Sequence, residues 1–448
     1  MKHIRKSSIV FALVSSLALF SGCGIDNDGD NVVEVPGGDQ FVSAEVIDDI
    51  NSSVMLQVIK ASIDANATNA FGYKAVKITY NTINQDDDTI QASGLLVIPT
   101  ASAAYQEYRA SIGENPFTVS MICENHGTIF TEAEAPTNVE VKNGMPDYST
   151  AVLMTGFAGF AAIIPDYIGY GTSGWVSHPY MLKKASARSS LDMIKASMKY
   201  MNDNKIVLNY QLFVSGYSQG GHTAMALTEE IEKSFSDKVD LKGTASMAAP
   251  HDLEALGDIE LDASHVMVYP AFLGYLADSY AYYHSDVNLS DVVLESNTTM
   301  YHDLFAGDTT NILIHESLGL TINGGFGAYT ADKLFKTSLI DDYKNSLNTG
   351  LALRNYFIEN STYNWAPKSR VNLIHCIDDE IIPFSMSQKA YTSFISNGSS
   401  EDMITLSPIP SEYIPPASAT DPFVHSRCGA AAYGTALKWF SAIRVGEI

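Results

Sequence analysis

Short apolar runs bounded by turn residues alternate with helix-like stretches along most of this chain. The apolar runs occupy residues 117–123, 160–165, 211–215, 243–248 and 371–377. Between several of them, apolar positions follow a helical spacing, notably at 186–201 and 222–235. Short strands that are apolar throughout are typical of a sheet buried on both faces. The pattern predicts an α/β fold with a mostly parallel central sheet and helices on both faces.

Two β-rich runs near the start of this pattern are close enough in sequence to pair directly with each other. Residues 75–83 and 90–99 are separated by a polar turn at 84–88. A turn of this composition between two such runs predicts a hairpin.

One interval, 251–368, breaks the rhythm, because it contains no clear core strand and is rich in tyrosine and leucine. A structureless loop of this length is improbable in a compact domain, so we predict a mostly helical insertion over a core formed by 41–250 and 369–448. An aromatic and aliphatic stripe recurs there at helical spacing. Its members either pack the core of the insertion or line a pocket; they are Phe272, Leu276, Tyr280 and Tyr283.

The first 22 residues have the features of an export signal. Residues 1–6 carry three basic side chains, and an apolar run follows at 9–20. A permanent membrane-spanning helix needs about 20 apolar residues, so this shorter run is expected to be removed as a signal peptide.

The end of this signal resembles the lipobox of bacterial lipoproteins. Residues 19–23 read Leu-Phe-Ser-Gly-Cys, which predicts cleavage before Cys23 and lipid attachment to that cysteine. Residues 23–40 are rich in Asp, Asn and Gly and are expected to form an acidic flexible tether. The chain would then be held in the bacterial cell envelope by an N-terminal lipid in the membrane, on the periplasmic or extracellular side.

Composition narrows the classes of partner and fold. Of the 448 residues, 46% are hydrophobic, which is enough for a large core. The chain has 27 Lys and Arg against 51 Asp and Glu, a formal charge of −24. Such a balance argues against nucleic acid as a partner. Four cysteines without a C-x-x-C pair argue against a zinc ribbon or a redox couple.

The candidate chemistry centres on Ser218. An apolar strand is followed by Gly216-x-Ser218-x-Gly220 and then by an alanine-rich helix. In this arrangement the serine occupies a strained turn between strand and helix, and the flanking glycines allow close packing. The pattern predicts a nucleophilic serine.

A nucleophilic serine needs a histidine to take its proton and an acid to orient that histidine. Two histidines follow the insertion: His375 lies within an apolar run, whereas His425 lies in a polar loop before the last helix, so we predict His425 as the base. The acid is expected after the penultimate strand. We select Asp379, because 375–383 resembles the H-G-x-x-D-x-x-V-P signature of α/β-hydrolases, and Asp378 is the alternative.

The tetrahedral intermediate of acyl transfer needs hydrogen-bond donors for its negative oxygen. The backbone N–H of Gln219, directly after the nucleophile, is one candidate. The loop after an earlier strand supplies the second, which we assign to Thr128.

Four motifs follow one another along the chain: His126-Gly127-Thr128, the run from Pro165 to Ser173, His178-Pro179-Tyr180 and the run from Gly216 to Gly221. Together they resemble the secretory lipase family, within the α/β-hydrolase fold. This resemblance covers most of the chain from about residue 70 onward and implies a carboxylic ester hydrolase or lipase, without a cofactor or metal, whose insertion forms a lid.

Other residues near these motifs are predicted to have structural roles. Asp166 and Tyr167 are expected to belong to a structural turn, and His178 and His222 to helix-start or packing positions. Pairing of the acid with the base would bring two cysteines together, so a disulfide is a further hypothesis; it would join Cys376 and Cys428.

The sequence thus predicts an extracytoplasmic serine esterase or lipase acting on a small-molecule or lipid ester. A serine peptidase and an acyltransferase on the same fold are alternatives, as is a non-catalytic surface lipoprotein. An aminopeptidase would need a carboxylate in the lid to hold the substrate amine, for which the candidates are Glu254, Glu295 and Glu316.

Overall fold

The structure is a computed structural model. It describes residues 38–112, 117–139, 141–142, 145–146, 152–295, 298–320, 329–418 and 421–447. The predicted signal peptide, the lipidation site Cys23 and the tether up to residue 37 lie outside the described residues.

The described residues contain eleven strands. In chain order they are β1 (Phe41–Ile50), β2 (Gly72–Ile83), β3 (Thr89–Thr100), β4 (Val119–Asn125), β5 (Val141–Lys142), β6 (Met145–Pro146), β7 (Ala161–Pro165), β8 (Leu208–Tyr217), β9 (Asp240–Met247), β10 (Val371–Cys376) and β11 (Ile404–Ile409).

They also contain thirteen α-helices. These are α1 (Ser52–Ser62), α2 (Ala103–Ser111), α3 (Lys183–Asp203), α4 (Gln219–Ser234), α5 (Leu253–Glu260), α6 (Pro270–Tyr283), α7 (Leu289–Val292), α8 (Thr298–Asp303), α9 (Asn311–Ser317), α10 (Thr337–Asn345), α11 (Asn348–Asn360), α12 (Ser385–Ser396) and α13 (Val424–Val445). Within the described residues, no helix combines the length and the apolar character needed to cross a membrane.

A nine-stranded sheet in the order β1-β2-β3-β7-β4-β8-β9-β10-β11 forms the centre of the fold. The pairs from β7 to β11 are all parallel, and the pairs among β1, β2, β3 and β7 are antiparallel. All five predicted apolar runs are strands of this sheet, and the predicted hairpin is the β2–β3 pair. The α/β-hydrolase fold class is confirmed.

Alternation along β4 shows why helices cover both faces of the sheet. Met121 and Cys123 pack in a core cluster with apolar residues of α3 and α4, whereas Ile122 belongs to another cluster that includes Phe440 of α13. Successive side chains of a strand point to opposite faces, so each face acquires its own core.

The positions of the two edge strands, β1 and β11, were not predicted from the sequence. In β1 the pairing register shifts between Phe41 and Ser43 and again between Val46 and Asp48, so no regular alternation is visible in its sequence. In β11, Pro408 interrupts the run, and proline is tolerated in an edge strand. Neither strand is apolar throughout, because each has a neighbour on one side only.

Between β9 and β10 the described chain is helical, with α5 to α11, and none of its described residues joins the central sheet. This insertion has an aromatic-rich core of its own, including Tyr275, Tyr280 and Tyr343. Met181 and Leu182 from before α3 belong to the same cluster and therefore join the insertion to the sheet domain.

Candidate active site

Ser218 occupies the turn between β8 and α4, with φ of 58° and ψ of −121°. A positive φ is strained for a residue with a Cβ atom, so the surrounding packing must enforce it. A Cβ atom at Gly220 would lie 1.8 Å from the carbonyl oxygen of Asn125, and one at Gly216 would lie 2.1 Å from that of Gly220. The glycines of the motif are therefore required by backbone contacts that hold the serine in this turn.

His425, the second residue of α13, lies beside Ser218. Its Nε2 is 2.9 Å from the Ser218 Oγ, and its Nδ1 is 2.6 Å from Asp379 Oδ2. A carboxylate can only accept, so Nδ1–H donates to Asp379, and Nε2 is left to accept the proton of the serine hydroxyl. The structure thus brings Ser218, His425 and Asp379 into one hydrogen-bonded line.

The second oxygen of Asp379 is held by the backbone. Oδ1 accepts the N–H groups of Ile381 at 3.0 Å and Ile382 at 2.9 Å. Burial alone would raise the pKa of this carboxyl, but the adjacent imidazoles of His425 and His375 hold the pKa well below its usual range. Asp379 is therefore a carboxylate at neutral pH.

The alternative acid, Asp378, is exposed and accepts a hydrogen bond from the hydroxyl of Ser411. Adjacent residues in this turn point in different directions. Only Asp379 of the two aspartates contacts the histidine.

Three contacts fix the start of α13, which carries His425. Glu380 accepts the backbone N–H of Val424 at 2.8 Å, which caps the helix with a carboxylate at its positive end. The Tyr217 hydroxyl donates to the carbonyl of His425 at 2.6 Å. The sulfurs of Cys376 and Cys428 form a disulfide between β10 and α13.

The cap by Glu380 was not predicted from the sequence, where this turn was considered only as the source of the acid, Asp379 or Asp378. In the sequence, Glu380 is visible only as an acidic residue next to Asp379. Nothing there connects it with a helix that begins 44 residues later.

Gln219 is the first residue of α4, so its backbone N–H has no acceptor within the helix and is free in that respect to receive a substrate oxygen. Its side chain is fixed: Gln219 Nε2 donates to His178 Nε2 at 2.7 Å. His178 Nδ1–H in turn donates to the carbonyl of Ile168 at 2.7 Å. Burial lowers the pKa of His178 to about 3, so the ring is neutral and can accept. His178 thus orients the residue after the nucleophile, a role that sequence reasoning assigned to simple packing.

Thr128 lies in the loop that follows β4, close to the nucleophile. A Cβ atom at its neighbour Gly127 would lie 4.0 Å from the Cβ of Ser218. The Thr128 hydroxyl and the Tyr180 hydroxyl are 2.8 Å apart, which fixes the threonine side chain. The predicted oxyanion donors, Gln219 and Thr128, therefore lie on two elements that both approach Ser218.

The turn after β7 supports this loop. Buried Asp166 accepts hydrogen bonds from the hydroxyls of Ser93 at 2.6 Å and Thr137 at 2.5 Å. Tyr167 has a φ of 68°, and its hydroxyl donates to the carbonyl of His126 at 3.1 Å. These contacts are structural: those of Asp166 fix the turn, and that of Tyr167 joins the turn to the His126–Thr128 segment.

His222, three residues into the same helix as Gln219, is buried, and its Nε2–H donates to the carbonyl of Asn360 at 2.7 Å. Asn360 is the last residue of α11, so this bond joins the end of the insertion to the helix that follows the nucleophile.

A small apolar cavity of about 50 Å³ opens beside Ser218. The insertion supplies most of its lining residues, and Ile381 and Ile382 line it from the sheet domain. Phe272 and Leu276 of the predicted stripe line this cavity. Tyr280 and Tyr283 of that stripe donate instead to the carbonyls of Met181 and Ser177. The residues from the insertion are Leu253, Leu256, Glu260, Met267, Val268, Tyr269, Phe272, Leu273 and Leu276.

The described part of the chain has no group of three or more His, Cys, Asp or Glu side chains placed to hold a metal ion. Its free cysteine, Cys123, is buried within β4.

Comparison with protein families identifies a matching family model. The model of a family described as secretory lipase matches residues 145–442. No curated protein sequence matches the chain.

Comparison with solved structures identifies proteins of similar fold. A Legionella pneumophila protein is 19% identical, with a TM-score of 0.73, over 90% of this chain and 98% of that one. The rice cell wall degrading esterase LipA from Xanthomonas oryzae, in a ligand-bound form, is 21% identical, with a TM-score of 0.71, over 91% and 98%. Candida antarctica lipase A is 14% identical, with a TM-score of 0.54, over 83% and 76%. At these identities the likeness concerns the fold.

Proposed function

This chain belongs to the secretory lipase family and is an ester hydrolase of the lipase or esterase type, and we propose that it acts as a serine hydrolase through an acyl-enzyme formed on Ser218. The observation that carries the proposal is the hydrogen-bonded line from Asp379 through His425 to Ser218, with distances of 2.6 and 2.9 Å.

In the proposed mechanism, Ser218 Oγ attacks the ester carbonyl while His425 Nε2 takes its proton. The backbone N–H groups of Gln219 and Thr128 stabilise the negative oxygen of the tetrahedral intermediate. The protonated His425, held by Asp379, then gives its proton to the leaving alcohol. Water then attacks the acyl-enzyme, His425 takes a proton from this water and gives it to Ser218 Oγ as the acid leaves, and the free enzyme is regenerated.

The direct test replaces Ser218 by alanine and follows hydrolysis of a short p-nitrophenyl ester. We expect kcat to fall by about 10⁴-fold or more with an unchanged melting temperature, because the nucleophile is lost and the fold is kept. Wild-type protein should also be labelled by a fluorophosphonate probe, and the variant should not. Retained hydrolysis by the variant would refute the mechanism, and absence of labelling would favour a non-catalytic lipoprotein.

Family membership indicates an extracellular or envelope location. We propose in addition that a lipid on Cys23 anchors the mature chain to a membrane, as the 19–23 motif indicates. In cells supplied with an alkyne fatty acid, wild-type protein should acquire the label and Cys23→Ser should not. Labelling of both proteins would contradict the anchor.

A peptidase activity has less support from the residues of the lid. Of the carboxylates considered for an amine site, Glu254 is bound by Arg354 at 2.7 Å and Glu316 is exposed. The acid that lines the cavity is Glu260, and its Oε2 lies 3.3 Å from His265 Nε2. Rates on matched ester and aminoacyl amide substrates separate the two activities, and added alcohol that captures the acyl group would identify an acyltransferase.

A further inference from the structure

Glu124 is a buried carboxyl close to the candidate triad, and no step of the proposed mechanism uses it. It lies one residue before the end of β4 and is 2% exposed. The Ser215 hydroxyl of β8 donates to one of its oxygens, and the Tyr433 hydroxyl of α13 donates to the other. Among the described residues, no Lys, Arg or His forms a salt bridge with it.

Each of the three elements joined at Glu124 carries a different part of the site. β4 leads directly into the loop with Thr128. β8 reaches the nucleophile three residues after Ser215. α13 carries His425 about two helical turns before Tyr433. The carboxyl therefore joins the elements that supply the nucleophile, the base and one oxyanion donor.

The ring of Tyr217 lies between this network and the histidine. Its centroid is 5.2 Å from that of His425 and 6.3 Å from that of Tyr433, and its hydroxyl binds the His425 carbonyl. A shift of Tyr433 on α13 would therefore be transmitted both along the helix and through this ring contact.

Burial of a carboxyl here is unfavourable by itself, because it raises the pKa of Glu124 to about 7. The titratable groups that face it are Cys123, Tyr167 and Tyr433, and burial raises the pKa of each, so none is a cation that could compensate its charge. An aliphatic side chain would avoid this penalty but would leave both hydroxyls without their acceptor.

From this geometry we propose that Glu124 is a positioning residue, which keeps the nucleophile strand, the oxyanion loop and the histidine helix in the relative positions that acyl transfer needs. The inference rests on the proposed Ser218 mechanism. Misplacement of reacting groups by about 1 Å can lower a rate by about 10²-fold, so loss of this connection should reduce kcat rather than substrate binding.

Two substitutions separate hydrogen bonding from volume. Glu124→Gln can accept from one hydroxyl and donate to the oxygen of the other, so its kcat should stay within about threefold of wild type. Glu124→Leu can do neither, and we expect kcat to fall about tenfold or more with KM within about twofold. Both kcat and KM should be measured at a temperature well below the melting temperature of each variant.

Asp192→Leu is the matched control. Asp192 is also a buried carboxyl with a hydroxyl partner, Thr82 at 3.0 Å, and it differs from Glu124 in its ion pair with Lys195 at 2.8 Å; it joins β2 to α3 and contacts no residue of the candidate triad. The Asp192→Leu variant should have a lower melting temperature and a kcat within about twofold of wild type. If Glu124→Leu behaves in the same way, Glu124 is structural only and the inference is wrong.

Tyr433→Phe provides a test that can be carried out even if Glu124→Leu folds poorly. It removes one of the two bonds, and we expect a fall in kcat of about threefold. When added to Glu124→Leu it should cause no further loss, because both changes break the same connection. Multiplicative effects, or a normal kcat in Tyr433→Phe, would overturn the inference. An active Ser218→Ala variant would instead overturn the mechanism on which it rests.

Discussion

At the carboxyl edge of the sheet, polar side chains near Ser218 have fixed partners, whereas the insertion presents mainly aliphatic and aromatic groups to the same serine. His425 is held by Asp379, and Gln219 is held by His178. Among the residues that line the cavity beside Ser218, Phe272 and Leu276 of the insertion offer only apolar side chains. We infer from this difference that the sheet edge supplies the proposed chemistry and that the insertion selects which acyl groups reach it.

The largest expected effect tests the sheet edge through two adjacent acids. Asp379→Asn leaves an amide beside His425, which favours the wrong tautomer, and we expect kcat to fall by about 10⁴-fold. Asp378→Asn is the matched control, because Asp378 is exposed and contacts Ser411. Its kcat on a p-nitrophenyl ester should stay within about twofold of wild type. A large loss in the control instead would assign the acid to Asp378.

The same contrast explains what the sequence could and could not predict. Ser218 was predictable because its signal is local: an apolar strand, two glycines required by close backbone contacts, and a helix. Asp379 and His425 were selected as its partners because 375–383 resembles an α/β-hydrolase signature and because, of the two histidines after the insertion, only His425 lies outside an apolar run.

Contacts between side chains distant in sequence were not predictable. Glu380 at the start of α13 and Glu124 between Ser215 and Tyr433 depend on which side chains face each other after folding. The stripe in the insertion was visible as a pattern, but its division into Phe272 at the cavity and Tyr283 at Ser177 depends on the packing of α6 against the sheet domain.

The next largest effect concerns the rigidity of the sheet edge. The disulfide between Cys376 and Cys428 closes a loop of 52 residues. In the chain-entropy description, its loss should lower the free energy of unfolding by about 4 kcal/mol. Chemical unfolding of the Cys376→Ala, Cys428→Ala double variant measures this.

Cys123→Ala is the control for removal of a buried sulfur, and it should cost only about 1 kcal/mol. We expect the double variant to lose activity on short and long esters alike, because the disulfide holds the base helix and not the cavity wall. A double variant as stable as wild type would contradict the prediction.

A smaller effect distinguishes two buried acids at the sheet edge by their pH dependence. The folded-state pKa of Glu124 is raised from 4.5 to about 7, so the folded protein retains a proton that the unfolded chain loses. Stability should therefore fall as pH rises from about 4.5 to 7, by up to about 3 kcal/mol. Asp379 has the opposite sign, because its lowered pKa contributes stability that is lost as pH falls below about 4.

Melting temperatures of wild type and Glu124→Gln across this range isolate the first contribution. The variant should gain stability relative to wild type between pH 4.5 and 7 and should show a constant difference above that range. A difference that does not change with pH would mean that Glu124 titrates as an exposed acid does.

The smallest expected effect tests the insertion. Phe272→Ala and Leu276→Ala enlarge a cavity of about 50 Å³, which is narrow compared with the 300 Å³ or more of ordinary ligand pockets. Each should raise the ratio of kcat/KM for a long acyl ester to that for a short one by about tenfold, since about two further methylenes gain contacts and each is worth about 0.8 kcal/mol. Tyr283→Phe is the control on the same helix, because its hydroxyl binds Ser177 away from the cavity. Its ratio should not change. If Phe272→Ala instead lowers kcat equally for every chain length, the insertion takes part in the chemistry, and the division of roles between the two regions is wrong.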